Sequence, residues 1–117
     1  MGLDAYFYSE ASTLTDDQKK FYSPIEIQSF RRFQTLHDWM HRLHIKKGGC
    51  VDPVYGYNRV NTYLTLDDLD ALDAALDDLS DDLDEWWPIH AMSLKKTIIH
   101  LRVHISRGMN VWYTSSW

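Results

Sequence analysis

Between Thr65 and Trp87 the chain places leucine at 66, 69, 72, 76, 79 and 83, at spacings of three, three, four, three and four. That rhythm puts the leucines on one narrow side of an α-helix, whereas a strand would scatter them over both faces. The stretch is therefore expected to form a helix that packs by a single seam. Thr65 with Asp68 three residues on makes a capping box for its start. Trp86-Trp87-Pro88 marks its end, because proline cannot continue a helix. The other positions are dominated by acid: Asp67, Asp68, Asp70, Asp73, Asp77, Asp78, Asp81, Asp82, Asp84 and Glu85, with no Lys or Arg among them.

Two further helices are expected. Ser23-Pro24-Ile25-Glu26 reads as a helix start, with Ser23 as cap, Pro24 where its missing N–H costs nothing, and Glu26 reaching back. This helix runs to about Ile45 and stops at Lys46-Lys47-Gly48-Gly49. Its apolar stripe is Phe33, Leu36, Met40 and Leu43, flanked by Phe30, His37 and His44 on one side and Trp39 on the other. The last helix is expected to be capped by Ser93, to run from Leu94 to about Arg107 and to end at Gly108. Leu94, Ile98, Leu101 and Ile105 form one face, and Ile99 and Val103 lie nearly opposite, so this helix should be covered on both sides. A short turn of helix is allowed at Thr15 and Gln18.

Strands are expected at both ends. Leu3–Ser9 is aromatic, with Tyr6, Phe7 and Tyr8, and so is Asn110–Thr114. The two can pair with each other. Cys50–Tyr63 reads as a loop with a short strand near Arg59–Leu64. At 117 residues this is one domain, large enough to bury roughly 65% of its unfolded surface. The fold expected is α+β, three helices packed on a small antiparallel sheet that includes the N- and C-terminal strands.

Charge limits the function. Of 17 acidic residues the Thr65–Trp87 segment holds the ten named above, leaving seven elsewhere against all 12 basic residues. An acidic element thus joins a mildly basic body. Direct nucleic-acid binding through a basic face is not expected, whereas contact with a protein that has a basic surface is. The single cysteine, Cys50, excludes an internal disulfide and fits a reducing compartment. No apolar run reaches the ~18 residues of a membrane span. The opening MGLDAYFYSE lacks the basic start and apolar core of a signal peptide, and Tyr6 breaks the myristoylation pattern. A cytoplasmic location is expected.

Met1-Gly2-Leu3-Asp4-Ala5-Tyr6, then Phe30-Arg31-Arg32 with Leu36-His37-Asp38-Trp39, and finally Trp112-Tyr113-Thr114-Ser115-Ser116-Trp117 together resemble a family of small uncharacterised bacteriophage and prophage proteins. Arg31, Arg32, His37, Trp39 and Trp117 carry that motif. Phe33 departs from it, since a small residue is more usual there, and the middle helix is more acidic than the family suggests. The resemblance implies a viral origin and a place in the host cytoplasm, and no activity.

Three sets of residues are candidates for function. His37/His41 and His100/His104 are four apart on their helices, as metal ligands would be, but no carboxylate accompanies them. The plainer reading is of histidines flanking an apolar stripe, each with a half-buried ring and one solvated nitrogen. No cofactor is expected. Cys50 follows a helix C-terminus, where the dipole raises a thiol pKa, so it is not a nucleophile. The third set is the acidic line Asp67, Asp70, Asp78, Asp81 and Glu85, opposite the leucine seam and about 27 Å long on a continuous helix, with Trp86 and Trp87 at its end. It could imitate nucleic-acid phosphates in the basic groove of a nuclease or polymerase. The functional expectation is a non-enzymatic phage-type interaction protein acting as an acidic inhibitor in host takeover or anti-defence. The alternative is a small enzyme or metal-binding protein using the histidine pairs.

Overall fold

The structure, a computed structural model, describes residues 2–13, 15–19, 23–80 and 87–117. The elements in chain order are β1 (Asp4–Ala11), α1 (Asp16–Lys19), β2 (Ile25–Arg31), α2 (Gln34–Lys46), β3 (Thr62–Leu64), α3 (Leu66–Ala74), a 3₁₀ turn (Leu76–Leu79), α4 (Trp87–Ser106) and β4 (Met109–Ser116). The strands form one antiparallel sheet in the order β2-β1-β4-β3. The two aromatic end strands pair along their whole length, from Asp4 opposite Ser116 to Ala11 opposite Met109. Three helices of more than seven residues pack on this sheet, the α+β arrangement expected.

Alternation in the strands decides which side is covered. Ala5, Phe7 and Ser9 lie opposite Ser115, Tyr113 and Val111, and all six are buried. Thr62 and Leu64 of β3 and Phe30 of β2 join the same side. On it sit α2, whose Leu36 and Met40 are buried, α3 with Leu69 and Leu72, and α4 with Leu94, Ile98 and Leu101. His37 of α2 reaches Tyr113, and His104 of α4 reaches Ser9. The three helices therefore share one face of the sheet.

Several expectations need correction, among them the covering of α4 on both sides: Ile99 and Val103 are exposed, and only the face with Leu94, Ile98 and Leu101 is buried. The segment at Ser23-Pro24-Ile25-Glu26 does not open a helix. Residues 25–31 form β2 instead, and α2 begins nine residues later, at Gln34. Ile25-Glu26-Ile27-Gln28 also alternates, and the hydrogen bonds offered by the free edge of β1 outweigh a local cap. The leucine-rich segment is not one helix. α3 ends at Ala74, the 3₁₀ turn follows, and Ser80 is extended at ψ 140°. This bend carries Leu79 into the core under α2, where the Thr35 hydroxyl donates to the Leu79 carbonyl at 2.7 Å. Pro88 does not stop a helix but stands in the first turn of α4, where no partner is missed by its lack of an N–H. Ser93 is consequently mid-helix, and its carbonyl accepts from Thr97 Oγ1. Finally, β3 is shorter than expected, Thr62–Leu64, and Arg59 stands in a left-handed turn at φ 59°.

Candidate functional site

The face of the sheet away from the helices carries its own pattern. It presents Asp4, Tyr6, Tyr8 and Glu10 from β1, Trp112 and Thr114 from β4, Tyr63 from β3, and Glu26, Ser29 and Arg31 from β2. Tyr8 and Trp112 are cross-strand partners with stacked rings 5.9 Å apart. Trp112 meets Tyr63 at 5.5 Å, and Tyr6 stacks beside Tyr8 at 6.0 Å. Cross-strand aromatic pairs of this kind stabilise the sheet by a few tenths of a kcal/mol each. They also make a continuous row of four rings across three strands. Tyr63 at its end is 55% exposed, Tyr6 and Tyr8 are half-buried, and Trp112 between them is nearly covered, at 7%. Burial, with the Glu26 carboxylate and then Tyr6 acting in the same direction, pushes the Tyr8 hydroxyl up, so it remains a hydrogen-bond donor.

Charge on this face is uneven. Asp4 is offset by Arg31, at 3.5 Å. Glu10 and Glu26 flank the rings. Lys47 approaches the β3 edge, but its ammonium donates to the Tyr63 carbonyl at 2.7 Å and pairs with Asp68. The result is an aromatic row bordered by carboxylates.

The acidic line expected from the sequence is dispersed. Asp70 is ion-paired with Arg102 of α4 at 2.5 Å, and Asp73 lies 3.9 Å from the same guanidinium. Asp67 is exposed in the first turn of α3, on the rim of a cleft of about 680 Å³. Asp78 is exposed on the 3₁₀ turn. Asp81, Glu85 and Trp86 lie outside the described residues. Trp87 is half-buried against the core, edge-on to Phe33 at 6.0 Å.

The histidines are not gathered into a ligand set. Among the described residues no three His, Cys, Asp or Glu side chains converge on one point. His37 is almost fully buried rather than half-solvated. Its Nδ1 lies 2.9 Å from the Tyr113 hydroxyl, and its buried Nε2 has no hydrogen-bond partner among the described residues. Rings of Tyr57, Tyr113 and Trp117 enclose it, Trp117 at 4.8 Å. His41 stacks flat on Tyr57 at 4.9 Å. Burial pushes the Tyr57 hydroxyl up to about 12, with the bond to Thr62 opposing, and drives Tyr113 higher still. His104 is held by Ser9, and His100 is exposed. Trp39 is half-buried against the core. Arg31 and Arg32 are exposed between β2 and α2, Arg32 at φ 57°.

The aromatic row escaped the sequence reading. Its signal was present in Tyr6-Phe7-Tyr8 and Trp112-Tyr113, where aromatics occupy both parities of a strand and so both faces of a sheet. Compared with protein-family models, curated proteins and solved structures, the chain matches none. No helix among the described residues is long and apolar enough to cross a membrane.

Proposed function

We propose that this chain is a non-enzymatic interaction protein that docks a basic segment of another protein on the helix-free face of its sheet. The observation that carries the reading is the row Tyr6, Tyr8, Trp112 and Tyr63, bordered by Glu10 and Glu26. Lysine and arginine side chains are attracted to aromatic faces and pair with carboxylates at their ends. Single-stranded nucleic acid also stacks on such rows, but its phosphates would meet carboxylates where they need cations. With the phage-protein resemblance, the partner would be a host or phage protein in the host cytoplasm, and its basic surface one that serves nucleic acid elsewhere.

Retention of a basic protein from host lysate, compared across variants and salt concentrations, tests this. Tyr63→Ser with Glu26→Gln should abolish retention while lowering the melting temperature only slightly, through the lost Tyr63–Trp112 contact, because both side chains are exposed. Retention should also fall as salt rises. Neutralising Asp67, Asp77 and Asp78 should change little. The reverse pattern would move the interface to the acidic segment, and equal retention by all variants would refute the reading.

A further inference from the structure

A second concave site lies at the end of the sheet where β2 hands over to α2. Gly2, Leu3, Asp4, Arg31, Arg32 and His90 line a cavity of about 450 Å³, a size that suits a small organic ligand. The chain builds it from three directions. Arg31 ends β2, Arg32 turns the chain, and Phe33 opens α2. Phe33 stacks on His90 at 4.5 Å and meets Trp87 edge-on, so the first turns of α2 and α4 lie side by side here. The first turn of α2 carries no acid, whereas that of α3 carries Asp67 and Asp68. Phe33 also gives α2 no side-chain cap. The positive end of the α2 dipole therefore lies beside two guanidinium groups.

Arg32 is fixed at this site. Its N–H donates to the Leu3 carbonyl at 2.8 Å, and its side chain lies along Gly2, 3.8 Å from where a β-carbon would stand. Its φ of 57° is a conformation that glycine or asparagine holds far more readily. Among the described residues Asp4 is the single carboxylate on the cavity wall and faces Arg31, and Arg32 has no carboxylate partner.

We propose that this cavity binds the phosphate group of a small phosphorylated molecule, with Arg32 and Arg31 as its ligands and His90 on the wall. Guanidinium forks match phosphate oxygens two at a time, and helix N-termini favour the same charge. The remaining volume takes the organic part of the ligand, against Leu3 and the His90 ring. This proposal is independent of the docking face.

Titration of the full chain by amide NMR, with inorganic phosphate and with a nucleoside monophosphate as probes, tests it. The shifts should fall on Gly2–Asp4, Arg31–Phe33 and the first turn of α4. Inorganic phosphate should bind in about the millimolar range and the monophosphate about tenfold more tightly. Arg32→Gln should weaken both by about tenfold or more, and Arg31→Gln by less, because Asp4 already occupies it. Arg32→Gly removes the guanidinium while suiting the backbone, so it should lose binding with its melting temperature kept or raised. Shifts scattered over other basic residues, affinity unchanged in Arg32→Gln, or binding of inorganic phosphate alone would overturn the proposal.

Discussion

At the scale of single residues, His37 shows how burial converts a titratable group into a structural one. Its ring sits among Tyr57, Tyr113, Trp117 and His41, with one nitrogen on the Tyr113 hydroxyl and the other without a partner among the described residues. Burial holds its pKa below the ordinary 6.5, His41 acts in the same direction, and Asp38 opposes. The folded chain therefore takes up this proton later than the unfolded chain as pH falls. Above about pH 6.5 both states carry a neutral ring and the group is silent. Below it the unfolded chain protonates first, so stability falls. His37→Gln should flatten the loss of stability between about pH 7 and 5, measured by urea unfolding across that range. A variant with the parental slope would assign the loss to another group. The sequence showed that His37 borders the apolar stripe of α2. That its ring would be sealed by the last residue of the chain depends on β4 lying beneath α2.

At the scale of elements, α3 follows its local signals closely and the stretch after it does not. Thr65 accepts from the Asp68 N–H, and Asp68 accepts from the Thr65 N–H at 2.9 Å, the capping box expected. Burial alone would raise the Asp68 pKa, but the bonds from Lys47 and Thr65 outweigh it and hold the carboxyl below its usual range. Thr65→Ala should destabilise the fold by about 1 kcal/mol, read as a shift of the urea midpoint. An unchanged midpoint would show that the cap is not formed in solution. Beyond Ala74 the leucine spacing continues, yet the helix gives way to a 3₁₀ turn, and the bend places Leu79 in the core beside Thr35 of α2. Three of the acids that look uncompensated in the sequence are paired across space: Asp68 with Lys47, and Asp70 and Asp73 with Arg102. The exposed pairs with Arg102 contribute about 0–1 kcal/mol each, so they orient α3 on α4 more than they hold it.

At the scale of the whole molecule, the chain ends make the middle of the sheet. β4 is bonded to β1 on one side and β3 on the other, and carries Val111, Trp112 and Tyr113 into both faces. Removing residues 110–117 should leave no folded domain, seen as loss of the cooperative thermal transition by circular dichroism. A truncated chain that still melts cooperatively would show that the helices hold β1 and β2 without it. The same layout sets the working surfaces apart, with the aromatic row on the open face and the Arg31–Arg32 cavity at one end of the sheet.

The sequence by itself determined the class of fold, the pairing of its two aromatic ends, the α3 cap and the apolar stripe of α2. The cap, the stripe and the two end strands rest on interactions among near neighbours or on a pattern that a single segment displays, and the pairing follows from two aromatic strands that each need a partner. Tertiary structure decided the rest. Residues 25–31 carry both a helix cap and a strand alternation, and only the unpaired edge of β1 selects the strand. Tyr6 and Phe7 are equally apolar signals, and only the placement of three helices on one face leaves the first at the surface and buries the second. Arg32, Gly2 and His90 are far apart in sequence, and the cavity they share exists only because β1, β2 and the first turn of α4 end at the same place.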